Sequence, residues 1–373
     1  MTSTSEFERG LAKQPGRTPR AIICPQSLTG APRWTCCGAA IITLVGLFIF
    51  GVPRGFADDT ADKLAPTAES RRVRKAADRG LTFLVDDAAK WRKERQCATC
   101  HHGTMTVWAL SEAKSQGHAV DANSFAETVR WTKTRLKDID KPRDTRPGWN
   151  MVSTPAVYLA VMARMVPKQD AISADEVKQI SEHLLRHQEA DGSWAWSLAP
   201  AKNRPPPVFE SDEVVTTLAC MALDPKDQSA SLRGCRDRAE AWLAKGTPSE
   251  STQAQAIRQL RDVLTRRSPK EMQQGIDRLL ARQNADGGWG QDKDLPSDAY
   301  ATGQALYFLS FAGVPVDRPE IRRGVSFLVA GQKEDGSWPM KSRAHPGEKP
   351  FTNPVPITYF GSAWATLGLI KSR

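Results

Sequence analysis

Apolar positions recur at helical spacing along most of this chain, in segments separated by short polar turns. Three of those turns are close copies of one another. One runs from Leu279 through Gln283, Asp286 and Gly287 to Trp289 and Gln291. A second runs from Leu184 through Gln188 and Asp191 to Trp194, and a third from Leu328 through Gln332 and Asp335 to Trp338. Each closes an apolar-periodic segment, then supplies Gln, two variable residues, Asp-Gly, a small residue and Trp. Asp-Gly marks a tight reversal, because both residues tolerate positive φ. The repeating unit is therefore a helix, an Asp-Gly-x-Trp turn and a second helix.

The spacing predicts a regular array. Trp289 and Trp338 are 49 residues apart, and Trp194 and Trp289 are 95 apart, close to two units. The intervening unit falls at about Gly234 to Leu264, where Ala239, Trp242, Leu243, Ala256, Ile257 and Leu260 keep the helical pattern without the turn motif. Further back, Gly148-Trp149 precedes a helix-like run from Pro155 to Met165, and His101 precedes another from Met105 to Ala113. The result is six helical hairpins between about Val73 and Arg373, an all-α chain with no strand-like alternation.

The N-terminus reads differently. Residues 1–57 combine a basic leader (Arg9, Lys13, Arg17, Arg20, Arg33), an apolar run from Gly38 to Val52 and the small-residue site Gly55-Phe56-Ala57. That order is the signature of an export signal cleaved after about Ala57. The apolar run is short for a spanning helix, and an uncleaved N-terminal anchor is the alternative. Residues 58–70 read as a polar tether and 71–373 as the repeat domain. The whole chain carries a formal charge of +10. Removing the leader's 6 basic and 2 acidic residues leaves 46 against 40, a dispersed balance that gives no footprint for nucleic acid.

Repeated Gln-x-x-Asp-Gly-x-Trp turns on this period resemble those of the squalene cyclase and protein prenyltransferase superfamily. The resemblance covers nearly all of residues 71–373. It implies an (α/α)6 toroid, six inner helices ringed by six outer ones, with a cavity open at one end. The physics agrees: a lone amphipathic hairpin cannot bury its apolar stripe, whereas a closed ring of six can. In such folds the Gln and Trp brace neighbouring turns, so Gln188, Trp194, Gln283, Trp289, Gln332 and Trp338 read as structural.

Two chemistries of the superfamily can be compared with these residues. Prenyltransferases hold zinc with an Asp, a Cys two positions on and a distant His. The best match here, Asp298-Ala299-Tyr300, lacks the Cys, and the last helical run offers Tyr359 but no His, so prenyl transfer is not expected. Squalene–hopene cyclases carry an Asp-x-Asp-Asp cluster at the start of an inner helix, and Glu210, Asp212 and Glu213 fall on its three acidic places. Three neighbouring carboxyls cannot all ionise cheaply, so one is expected to hold its proton. In a dry cavity that proton can start carbocation chemistry on an isoprenoid-like ligand, with Asp212 as the acid and Glu210 and Glu213 tuning it. The competing reading is capping: Ser211 is a good N-cap, acidic residues suit a first helical turn, and Ser297-Asp298 repeats the pattern.

A second constellation departs from that superfamily. Cys97-Ala98-Thr99-Cys100-His101 is a Cys-x-x-Cys-His string, the attachment signature of haem c, in which His101 supplies a nitrogen to iron. Candidate sixth ligands are His102, Met105, His118 and Met151. A zinc site from Cys97, Cys100, His101 and His102 is the first alternative, and a disulfide or redox pair the second. Cys220 and Cys235 are a possible disulfide, while His183, His187 and His345 read as surface or helix-end residues. Three functions follow: a cyclase-like protein for an apolar small molecule or lipid, a haem-bearing redox module that would need a redox partner protein, and a non-catalytic scaffold.

Overall fold

The computed structural model describes residues 67–95, 100–134, 136–137, 139–140, 153–166, 168–195, 210–343 and 354–373. All belong to one compact unit, Lys63–Arg373. The leader and most of the tether lie outside the described residues. So do Cys97, Gly148-Trp149, Met151, Pro205–Pro207 and His345, as does the side chain of Cys100.

Twelve α-helices make up the described chain, with no strand among the described residues and one isolated bridge between Gly290 and Ser297. The odd-numbered helices are α1 (Ala68–Arg95), α3 (Ala122–Lys133), α5 (Ala174–Arg186), α7 (Ala230–Lys245), α9 (Pro269–Leu280) and α11 (Pro319–Gly331). The even-numbered helices are α2 (Thr106–Ser115), α4 (Thr154–Met165), α6 (Asp212–Ala222), α8 (Thr252–Leu264), α10 (Ala299–Phe311) and α12 (Val355–Lys371). A π-helical turn, Cys100–Met105, leads into α2. Helix α1 begins at Ala68, three residues inside the stretch read as tether.

Burial separates the two sets. Among the outer helices, α9 buries only Gly275, Ile276, Leu279 and Leu280, a single stripe at helical spacing. The inner helix α10 buries Ala299 through Leu309 without a break, and α12 is buried nearly all round. Inner helices touch in the order α4, α6, α8, α10, α12 and α2, the π-helical turn ahead of α2 meets α4, and α11 meets α1. The ring closes, as the repeats predict.

The fourth hairpin, α7 with α8, lacks the turn motif yet takes its place in the ring. The three motif turns share one geometry. In each, the Trp ring is buried, its Nε1–H donates at 2.8 Å to a carbonyl of the preceding outer helix (Leu184, Leu279 or Leu328), and its backbone N–H donates to a hydroxyl on the following inner helix (Thr216, Thr302 or Ser362). The Gln amide donates both to its own turn and to a carbonyl of the next outer helix: Gln188 to Cys235, Gln283 to Glu320, Gln332 to Ala76. These residues hold the ring together, the role the resemblance implied.

Two expectations change. Cys220 and Cys235 are both buried and both free thiols; burial pushes Cys220 up to about 12 and Cys235 to about 11, which keeps each protonated. His183 lies in the last turn of α5, at a helix end as expected, but it is 1% exposed rather than on the surface, because its position falls on the stripe that packs inward with Ile180 and Leu184.

Candidate functional site

Glu210 ahead of α6 meets Ser251 ahead of α8, and Thr252 of α8 meets Gly290 ahead of α10, so these inner helices start together at one end of the ring. Further along the inner helices the interior is lined by aromatic rings. Trp108 of α2 packs edge-on against Trp364 of α12 and Tyr307 of α10, with centroids 5.4 and 6.0 Å apart. Its Nε1–H donates to the Tyr307 hydroxyl at 2.8 Å, and that hydroxyl donates to Glu112 at 2.9 Å. Lys371 lies 3.4 Å from Glu112, so the buried carboxylate is balanced.

At the starting end, five polar side chains from separate segments form one chain. Glu210, just ahead of α6, has a side chain only 6% exposed. One of its oxygens accepts from the hydroxyl of Ser251, the N-cap of α8, and the other pairs with Arg343 from the segment before α12. Arg343 Nε donates to Gln291 Oε1 at 3.3 Å, and Gln291 Nε2 donates to Asp298 Oδ2 at 2.7 Å. Asp298 is the N-cap of α10, its other oxygen accepting from Ala301 N–H at 2.8 Å. Burial pushes Glu210 up to about 6 against the opposing pull of Ser251 and Arg343, with Asp292 adding to the rise. Burial likewise raises Asp298 to about 6. Two acids that exchange protons near pH 6 thus share one arginine through one amide.

The three acidic positions at the start of the third inner helix therefore part company. Glu210 joins this chain. Glu213 accepts from Ser249 N–H at 2.6 Å and pairs with Arg258, whose Nη2 donates back to Ser249 O at 2.6 Å; it ties α6 to the segment ahead of α8. Asp212 is the half-buried first residue of α6, after Ser211, whose hydroxyl accepts from Val214 N–H as an N-cap does. The Ser-Asp repeat is offset: Ser211 caps α6 but Asp298 caps α10, so Asp298 matches Ser211 rather than Asp212. The sequence reading missed Arg343, Ser251 and Gln291. Arg343 lies between the Trp338 turn and α12, and nothing local in the sequence marks it.

Inside this rim lies Tyr300 of α10, fully buried, its hydroxyl accepting from Gln253 Nε2 of α8 at 2.6 Å. Phe360 stands 6.4 Å from Tyr300 and 6.4 Å from Tyr158, carrying the aromatic lining from α10 across α12 to α4.

On the α2 side of the same end, His101 and His102 are buried in the π-helical turn. Their Nδ1 atoms face each other, and His102 Nε2 is 2.8 Å from Asp87 Oδ2 of α1. Trp91 stacks on His102 with centroids 4.4 Å apart, and Tyr359 lies 3.8 Å from it. Burial lowers both imidazoles below their ordinary value, His101 well below, so both are neutral nitrogen donors near pH 7. Such donors, one oriented by a carboxylate, suit a transition-metal ion. The His101 ring is packed among Trp91, His102, Tyr359 and Phe360 with centroids at 4.4 to 6.2 Å, so a cofactor held by His101 would have these rings as neighbours. Of the candidate sixth ligands, Met105 is buried in this turn, but His118 follows the opposite end of α2 and pairs with Asp78 at 2.5 Å.

A third cluster holds Asp140, His183 and His187, whose ligand-type atoms lie within 4.8 Å of one another. Its members are already satisfied. His183 Nδ1 is 2.7 Å from Asp140, Ser153 N–H donates to its Nε2, and Arg186 takes the other Asp140 oxygen at 2.5 Å. It ties α5 to the segments before α4.

Comparison with known proteins agrees with this architecture. Residues 251–348 match the squalene-hopene cyclase C-terminal domain family. A squalene–hopene cyclase from Bradyrhizobium diazoefficiens is 40% identical over 78 residues, 18% of this chain and 12% of that protein. A probable squalene–hopene cyclase from Sinorhizobium fredii is 33% identical over 127 residues, 34% of this chain and 19% of that protein. The matched stretches thus span less than a fifth of either relative. Among solved structures, the type II terpene cyclase MstE from Scytonema superposes with a TM-score of 0.50 at 15% identity, covering 81% of this chain and 99% of that one. The protein is an α/α toroid, with residues 251–348 similar to the squalene-hopene cyclase C-terminal domain. An unsaturated glucuronyl hydrolase from Bacillus sp. GL1 shares the fold as well, with a TM-score of 0.52 at 14% identity over 80% of this chain and 96% of that one. One toroid thus carries both a cyclase and a hydrolase, and the site, not the fold, has to supply the function.

Proposed function

We propose that this squalene cyclase-like toroid binds an apolar, isoprenoid-like molecule in its interior and protonates it from the acidic rim. The observation that carries the reading is Glu210: a carboxyl buried at the start of the inner helices, raised to about 6, and held against Arg343 and Ser251. Asp212 and Glu213 occupy the other two acidic places. Both Glu210 and Glu213 face an arginine, but burial raises Glu210, so the held proton is assigned to Glu210, with Asp212 as its neighbour.

In the reaction the Glu210 O–H bond breaks as a C–H bond forms at an alkene carbon. The carboxylate left behind is stabilised by Arg343, and Gln291 couples that charge to Asp298. The cation is met by the faces of Tyr300, Phe360 and Tyr158, a favourable surface for positive charge in a water-poor site. Ring closure followed by proton loss to water at the rim leaves an isomer of the substrate, with no co-reactant consumed. The test is turnover of a polyprenyl substrate by Glu210→Gln, Asp212→Asn and Glu213→Gln. Glu210→Gln is expected to lower product formation at least about 100-fold, the lower end of a general-acid contribution, with helicity unchanged. Unchanged turnover in Glu210→Gln sinks the assignment, and loss in Asp212→Asn alone returns the role to Asp212.

A second reading rests on the paired neutral imidazoles behind Cys97 and Cys100. In it the string is a cofactor site: haem c attached at the two cysteines with His101 on the iron, or zinc held by Cys97, Cys100, His101 and His102. Export through the leader and a redox partner protein belong to the haem form of this reading.

A further inference from the structure

Residues Tyr300, Gln304 and Tyr307 recur at the spacing that places them on one face of α10. Tyr307 bonds to Trp108 of α2 across the ring, so this face looks into the interior. The opposite face carries Thr302, whose hydroxyl serves the Trp289 turn. Gln304 is therefore an interior amide between two tyrosines, and it is 0% exposed. Its amide lies near enough to the Tyr300 hydroxyl to interact with it, yet neither its Nε2 nor its Oε1 makes a hydrogen bond of ordinary length within the chain. Across from it, Gln253 of α8 is 2% exposed and spends its Nε2 on Tyr300, leaving Oε1 without a partner. Buried amides left unpaired are rare and costly, and each one calls for an explanation.

A pure hydrocarbon does not explain them. It would leave two acceptors and a donor dry, where Leu or Met would pack without that cost. We propose that these two amides bind an oxygen-bearing head group of the ligand, of the alcohol class. A hydroxyl both accepts and donates: it accepts from Gln304 Nε2 and donates to Gln253 Oε1 or Gln304 Oε1. The ligand's apolar body then lies along Phe360, Tyr158 and Trp108. The head group sits at the level of Tyr300, below the Glu210–Arg343–Asp298 chain. The inference rests on the proposed function in one respect, that the body of the ligand is apolar and lies inside the ring.

Equilibrium binding of farnesol and farnesene to the full chain tests it, since these two probes share a skeleton and differ in the hydroxyl. The expected result is farnesol binding at least tenfold tighter than farnesene. Gln304→Met, close in volume and without polar atoms, is expected to weaken farnesol about tenfold and leave farnesene within twofold. Equal binding of both probes by the wild type means that water fills the amides, which overturns the inference and leaves the apolar-ligand reading standing. Farnesol binding unchanged in Gln304→Met overturns it also. Binding of neither probe removes the apolar-ligand reading and the inference with it.

Discussion

Gln332 and Arg79 close the ring: 253 residues apart in sequence, they meet where the last outer helix touches the first. Arg79 Nε donates to Gln332 Oε1 at 3.1 Å, and Gln332 Nε2 donates to Ala76 O at 2.9 Å. The same clamp joins Gln188 to Arg238 and Gln283 to Arg323, in each case an arginine three residues after the carbonyl that the amide reaches. Gln332→Leu removes the donor to two carbonyls and the acceptor for the guanidinium, at a cost of about 1 kcal/mol, the low end for a half-exposed amide. Arg79→Ala leaves an exposed acceptor that water can serve and is expected to cost less. Thermal melts of both single variants and the double check this. The double is expected to be no worse than Gln332→Leu by more than a few tenths of a kcal/mol, because the two losses overlap.

Gly336 and Gly313 both adopt positive φ, +87° and +79°, yet their surroundings differ. A Cβ at Gly336 would lie 2.3 Å from the Arg79 carbonyl, whereas one at Gly313 meets nothing within 4 Å. Gly313→Ala therefore bears only the backbone cost, about 1–2 kcal/mol. Gly336→Ala adds overpacking of roughly 1–3 kcal/mol at the ring-closing contact. Denaturant titration of the two variants is expected to separate them by that second amount; equal midpoints would mean the turn gives way freely.

The rim acids set a pH dependence. Glu210 moves from an ordinary 4.5 to about 6 on folding, so the folded protein holds this proton more tightly than the unfolded chain does. The stabilisation is complete below pH 4.5 and is lost as pH rises through about 6, amounting to ~2 kcal/mol by pH 7 and above. Asp298 acts in the same direction over 3.8 to about 6. Glu210→Gln fixes the neutral form. Its melting temperature relative to wild type is thus expected to be higher at pH 8 than at pH 5. Titrating groups not coupled to Glu210 cancel in that difference. Turnover by the wild type is expected to fall as pH rises through about 6, and a flat profile up to pH 8 would remove Glu210 as the acid.

The fold was legible because its signal is local and repeated. Three copies of Gln-x-x-Asp-Gly-x-Trp gave the period, and the period gave the positions of hairpins without the motif, α7–α8 among them. The candidate site was legible only where a resemblance pointed. Glu210, Asp212 and Glu213 were singled out together, but their separation into a buried acid, a first-turn residue and a strut depends on Arg343, Ser251 and Arg258. Those partners come from 41 to 133 residues away, and no spacing rule reaches so far. The burial of His183, at its helix end, was out of reach for a related reason. Histidine is intermediate between core and surface, and its burial here goes with Asp140, 43 residues earlier, supplying an acceptor.

The Cys97 string makes the last prediction, because its two readings leave different masses. Expressed with c-type cytochrome assembly, the haem form gains the mass of one haem on the peptide holding Cys97 and Cys100. Its visible band is lost when both cysteines become alanine. In that form Tyr359→Ala is expected to raise haem content, since Tyr359 packs against both imidazoles. The zinc form shows no gain under denaturing conditions but carries one zinc per chain by elemental analysis. His102→Ala is expected to release that ion, and Asp87→Asn to weaken it roughly 10- to 100-fold, because Asp87 orients the His102 ring through Nε2. A chain with neither haem nor zinc, and with Cys97 joined to Cys100, would leave Asp87, His101 and His102 as a buried polar cluster bracing α1 against α2. The rim acids would then be the toroid's remaining chemistry.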